Sequence, residues 1–135
     1  MPCDPGFGNP RPAPDCPDET LATGWLRLRD GVLTLRPFRT LHSDAEGQAY
    51  AAEHDLEFPF PNDYYDAPAG KPRTLSLAPE TICTGAILVG RMDGEDHVVP
   101  CRKMLAVASR ASSRLPVAVW GDSGYAFQVS ELYRP

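Results

Sequence analysis

A chain of 135 residues is long enough to bury one core unaided, and 42% hydrophobic with 23% charged residues is an ordinary globular balance. A net charge of −5 argues against nucleic-acid partners, because binding phosphates calls for a Lys/Arg surface. No run of about twenty apolar residues is present to form a transmembrane helix, and no signal peptide precedes the first polar stretch.

Fifteen prolines and eleven glycines point to many short elements joined by turns. Six of those prolines fall in the first seventeen residues, a composition that suits a stiff tether over residues 1–20 ahead of a single domain over 21–135. A tether in that place fits an exported form from which a leader or lipid anchor upstream has been removed. The four cysteines, Cys3, Cys16, Cys83 and Cys101, allow three pairings and form no CxxC motif. The economical pairing joins Cys3 to Cys16 and Cys83 to Cys101, and each such loop closure stabilises by about 3 kcal/mol. The even count favours an oxidising compartment over four buried cytosolic thiols.

Trp25–Arg29 alternates Trp25, Arg27 and Arg29 on one face with Leu26 and Leu28 on the other. Asp30-Gly31 and Val32–Arg36 follow, which predicts a β-hairpin ended by Pro37 and Phe38. Ser43 and Glu46 read as a capping box for a helix over Asp44–His54, with Ala45, Ala49, Ala52 and Leu56 on its inward face. Between residues 40 and 70 there are seven acids and no Lys or Arg, just after the basic Arg27, Arg29, Arg36 and Arg39. These are two mutually attracting solvated faces, or an acidic patch for a cation or basic partner.

The helix leads into FPFPNDYYDAP, Phe58–Pro68, which holds four of the chain's twelve aromatics within eight residues. Prolines fix its backbone, and rigid aromatics offer contact area at low entropic cost. Either Phe58 and Phe60 enter the core with the tyrosines as a corner, or the segment is a contact surface. Arg73–Leu77, Thr84–Gly90 and His97–Val99 read as further strands, and Cys101–Ala111 as a helix with Cys101, Met104, Leu105 and Ala108 inward. Val117–Trp120 and Tyr125–Leu132 form a second hairpin around Gly121–Gly124. The pattern predicts an α+β, mainly β domain: a small, partly closed β-barrel or curved antiparallel sheet with two short helices.

Several chemistries compete for these residues. Gly121-Asp122-Ser123-Gly124 resembles the GDSGG setting of the trypsin-like serine, and His42, Asp63 or Asp66, and Ser123 occur in that order. The second glycine is replaced by Tyr125, and only eleven residues follow Gly124, so a hairpin turn accounts for the motif better than a small serine hydrolase. Asn62, Asp63 and Asp66, with Asp55 or Glu57, supply oxygens for calcium but lack the EF-hand spacing, and a turn serves equally. His97 beside Asp93–Asp96, and the helix-flanking His42 and His54, build no metal pattern. Cys83 lacks a positive neighbourhood for a thiolate. No phosphate-binding loop is present.

The DG hairpin, the helix AEGQAYAAEHD, Asn62–Tyr65, the strand RTLSLAPET and the closing VSELYRP resemble a group of exported proteins. These come from actinobacteria and other Gram-positive bacteria, some are lipoproteins, and the group has no established activity. The resemblance implies one compact exported domain with Cys83 and Cys101 as its cystine, and carries over no catalytic residue. The expectation is therefore an extracellular or cell-surface binding domain without catalytic residues. It would use Asn62, Asp63, Tyr64, Tyr65 and Asp66 against a protein or small-molecule partner, with no cofactor. A purely structural domain is the third reading.

Overall fold

Residue 7, most of 8–20, and residues 90–96, 111–113, 122–124 and 135 lie outside what the computed structural model describes, as do 1 and 2; it describes 3–6, 10, 16, 21–89, 97–110, 114–121 and 125–134. β1 (Leu21–Arg29) and β2 (Val32–His42) make the expected hairpin, paired Trp25 to Arg36 and Arg29 to Val32. Its two-residue loop has positive φ at both Asp30 (50°) and Gly31 (76°), the turn whose twist matches the strands. Pro37 does not end β2 as expected. The strand runs on because Pro37 still pairs in register with Gly24, while β3 (Tyr64–Pro68) pairs with Phe38–His42.

The full sheet has the order β3-β2-β1-β7-β8-β5-β6, with the short β4 (Arg73–Thr74) beside the start of β2. Its two ends do not meet, so the sheet is open and the barrel alternative gives way to the mainly β sheet with two helices. One expectation needs correcting inside it: β5 (Leu77–Gly85) and β8 (Ala126–Glu131) run parallel. Parallel neighbours need a long crossover, and here β6 (His97–Val99), α2 (Cys101–Ala108) and β7 (Leu115–Gly121) supply it. The strands expected at Arg73–Leu77 and Thr84–Gly90 are instead β4 and β5, because Ile82–Gly85 pairs with β8 and β6 and the chain turns at Ala86–Val89.

β7 explains the layering. Every residue of Leu115-Pro116-Val117-Ala118-Val119-Trp120-Gly121 is buried, as in a strand covered on both faces. Leu115, Val117 and Val119 join Leu26, Leu35, Val129 and the helix residues Met104, Val107 and Ala108 in the main core. Ala118 and Trp120 face the other way, into a cluster with Phe38, Leu132 and both Cys3 and Cys16. Cys3 is fully buried. Its N–H donates to Gln128 Oε1 (3.1 Å) and its carbonyl accepts from Gln128 Nε2 (2.8 Å). The amide of a buried glutamine reproduces a strand's donor–acceptor pair, which a proline-rich segment cannot supply for itself.

Both disulfides form as the economical pairing predicts. Cys3 joins Cys16, and Cys83 on β5 joins Cys101 at the start of α2, fastening that helix to the sheet.

Helix α1 (Ala45–Glu53) starts where expected, but its details differ. Asp44, not Ser43, is the N-cap, accepting from the Gly47 N–H at 3.0 Å. Ser43 accepts from the Phe60 N–H instead, and Glu46 pairs with Arg39, so no capping box closes. The expected alanine stripe is also turned outward: Ala45, Ala49 and Ala52 are exposed, whereas Gly47 and Ala51 are buried. The cause is the close approach of the helix to the end of β2. A Cβ on Gly47 would overlap the His42 carbonyl oxygen and lie 2.8 Å from the Phe60 ring. Gly47→Ala, which would normally gain about 1 kcal/mol of helix propensity, is therefore expected to destabilise the domain by about 1–3 kcal/mol. A drop in the urea midpoint at unchanged slope is the readout.

Candidate functional site

The aromatic segment is divided by strand geometry. After the cis Phe58-Pro59 bond, Phe60 is buried against α1, Phe58 is edge-on to it at 5.3 Å, and Tyr65 stacks on it at 5.5 Å. Tyr65 also meets Tyr50 at 5.9 Å, in the small core of Leu41, Ala51 and Ala67. Asn62 and Asp63 are exposed in a 3-10 turn with positive φ (55° and 67°). Successive side chains in β3 alternate faces, so Tyr64 and Asp66 project to the opposite side from Tyr65 and Ala67. The five residues expected to act together thus occupy a turn, a core and an outer face.

On the outer face Asp66 is already engaged. Arg134 grips it in fork fashion, Nε to Oδ2 at 3.0 Å and Nη2 to Oδ1 at 3.2 Å, and Thr40 Oγ1 donates to Oδ1 at 2.7 Å. The two charged side chains are only 13% and 10% exposed, so this is a desolvated pair rather than a surface contact. The same guanidinium lies 4.9 Å over the Tyr64 ring and 5.9 Å from the Phe38 ring, a cation–π arrangement that aligns three elements. Burial raises the Tyr64 hydroxyl above its ordinary pKa; Arg134 pulls it back, and Asp66 adds to the rise.

A second carboxylate, which the sequence reading passed over, organises the neighbouring wall. Glu131 is 1% exposed and its oxygens accept four backbone N–H bonds. Ala86 and Val89 donate to Oε1 at 2.8 Å each, and Ile87 and Leu88 to Oε2 at 3.1 and 2.7 Å. The loop curls tightly enough that a Cβ on Gly85 would overlap the Val89 carbonyl. The signal available in VSELYRP was an acid inside an apolar run, a position tolerated only when the charge finds donors.

Ile87 and Leu88 then line, with Tyr64, Trp25 and the exposed Arg114, a cleft of about 250 Å³. Leu88 is 49% exposed, and the Arg114 guanidinium lies 5.1 Å over the Trp25 ring. Trp25 and Arg114 also line an adjoining groove of about 760 Å³, floored by the hairpin. The other sequence candidates lie elsewhere. His42 is exposed at the end of β2, His54 stacks on Tyr50 at 4.0 Å, and His97 is on β6. Ser123 lies outside the described residues. Among the described residues no three of His, Cys, Asp and Glu gather as a metal-binding group.

Asp66→Ala is expected to cost about 3 kcal/mol, because it strands the Arg134 charge in a desolvated place. The Asp66→Ala/Arg134→Ala pair should cost less than the two single changes summed, read by urea denaturation of all three. The raised Tyr64 pKa gives a second expectation. The folded state holds the phenol proton more tightly, so this stabilisation is full below the unfolded value of about 10 and is lost as pH rises through the folded value. Tyr64→Phe should therefore lose less stability than the wild type above that pH, in melts taken across the alkaline range. No family model, no curated protein and no solved structure matches this chain, so the geometry alone carries the functional reading.

Proposed function

We propose that this is a non-catalytic binding domain of the cell surface or extracellular space, and that its contact site is the cleft between Tyr64, Trp25 and Leu88. Two disulfides suit an oxidising compartment. Among the described residues no helix is long and apolar enough to cross a membrane.

The observation that carries the reading is the way the cleft's charges are satisfied from within. Asp66 and Arg134 hold each other, and Glu131 is saturated by four amides, so among the described lining residues the rest is aromatic and aliphatic surface with the exposed cation Arg114. The described lining residues include no serine, cysteine or histidine, which favours capture over covalent chemistry. Of the acidic-aromatic segment, Tyr64 supplies contact area and Asp66 orients Arg134 beneath it, while Asn62 and Asp63 lie in the turn before β3. Tyr65 supports the segment from behind. The partner group that fits is a small apolar or aromatic moiety bearing an anion.

Phenylacetate is a suitable probe, titrated into labelled protein and followed by amide NMR shifts. Saturable shifts at Trp25, Tyr64 and Leu88, abolished in Leu88→Glu with its melting temperature intact, are the expected result. Surface substitutions of this kind usually change stability by less than about 0.5 kcal/mol. Weak, non-saturating shifts scattered over the surface would overturn the reading.

A further inference from the structure

The outer face of the β1/β2 hairpin carries a file of arginines. On that face, cross-strand register sets Trp25 opposite Arg36, Arg27 opposite Thr34, and Arg29 opposite Val32. Three consecutive rows therefore each present a guanidinium: Arg36 in the first, with Arg114 above its Trp25, then Arg27, then Arg29. Residues two apart on a strand are about 7 Å apart, so the row of cations spans about 14 Å along the groove. All four arginines are exposed, all four line the groove, and no carboxylate is among its described lining residues. The segment from Pro68 to Pro72 forms the facing wall, held on β2 by the Ala69 N–H to the Pro37 carbonyl at 2.9 Å.

We propose that this groove binds a linear polyanion whose sulfate or phosphate groups recur along its backbone, such as an anionic glycan. Arginine suits the task because its planar fork meets two oxyanion oxygens at once and stays charged at any physiological pH. A regular file of cations fits an extended polymer better than a single small anion. The groove also discriminates among polymers. Single-stranded nucleic acid is held by bases stacking on open aromatic faces, and the one aromatic ring among the described lining residues, Trp25, carries Arg114 over it. The net charge of −5 further disfavours a duplex, which spreads charge over a broad surface. The inference goes beyond the cleft reading and stands without it, since Arg27, Arg29 and Arg36 line only the groove.

The test is binding of the whole protein to two probes, heparin oligosaccharides for sulfate and inorganic polyphosphate for phosphate, by calorimetry over a range of salt. At least one probe should bind with a log K against log salt slope of about −3, as expected for three to four neutralised anions. Which probe binds more tightly assigns the anion. Arg27→Gln/Arg36→Gln should lose about tenfold or more in affinity and flatten the slope by about 2. Arg102→Gln/Lys103→Gln on α2, with the same change in net charge, should keep wild-type binding. If Arg27→Gln/Arg36→Gln melts early, Arg29→Gln/Arg36→Gln serves in its place. Equal losses in the hairpin and helix variants, or no binding of either probe at low salt, would overturn the proposal. A base-containing oligonucleotide that bound more tightly than both probes would overturn it in favour of nucleic acid. Phenylacetate binding in Arg27→Gln/Arg36→Gln separates the two sites, since the cleft should keep its probe when the groove loses its polymer.

Discussion

A single buried carboxylate sets the geometry of the face that holds the cleft. Glu131 ends β8 beneath the surface, where an ionised group is tolerated only if donors replace the water it has lost. The four amides of Ala86–Val89 replace it, and in doing so they curl the chain after β5 into a fixed loop. That loop sets Leu88 at the cleft. The same strand end sends Leu132 into the cluster around Trp120, and Arg134 onto Asp66, so one short segment joins β8, β5, β7 and β3. Backbone amides as donors make the arrangement insensitive to the identity of the loop side chains at Ile87 and Leu88.

The two faces of the sheet are put to different use. One is closed by α2, whose Met104, Val107 and Ala108 meet the inward residues of β1, β2, β7 and β8, with the Cys83–Cys101 bond fastening the helix at its start. The other holds the cluster around Trp120. Cys3 and Cys16 dock over Trp120, with Gln128 satisfying the backbone of Cys3, and on the same face the described residues line the cleft and the groove. Trp25 stands where the two meet, packed at 4.8 Å on Phe38 below and overlaid by Arg114 above. A rigid aromatic shared by both recesses makes them adjoining parts of one surface, apolar toward Leu88 and cationic toward Arg29.

Local signals were readable wherever a residue's role depends on its immediate neighbours. The Asp30-Gly31 turn, the alternation of Trp25, Arg27 and Arg29 with Leu26 and Leu28, the stretch of α2 and the β7/β8 pairing all follow from turn chemistry and period-two burial. The nearest-neighbour cysteine pairing belongs with them. The helix stripe was misread because alanines suggested the buried face, whereas the close crossing of β2 requires a residue without a side chain, Gly47. Pro37 was misread because a proline ends a strand only where its missing N–H was needed for the ladder.

Composition and spacing by themselves determined a mainly β domain with two short helices, its hairpins, and the residues rich in contact chemistry. They could not say which of those residues remain available, because that depends on partners far away in the chain. Asp66 and Arg134 are 68 residues apart, and Glu131 is 42 to 45 residues from its donors. Only the tertiary structure decided that the acidic-aromatic segment is largely turned to internal use. It also decided that Arg27, Arg29 and Arg36 share one exposed face of the hairpin, because burial and register are properties of the folded neighbourhood and not of the residue.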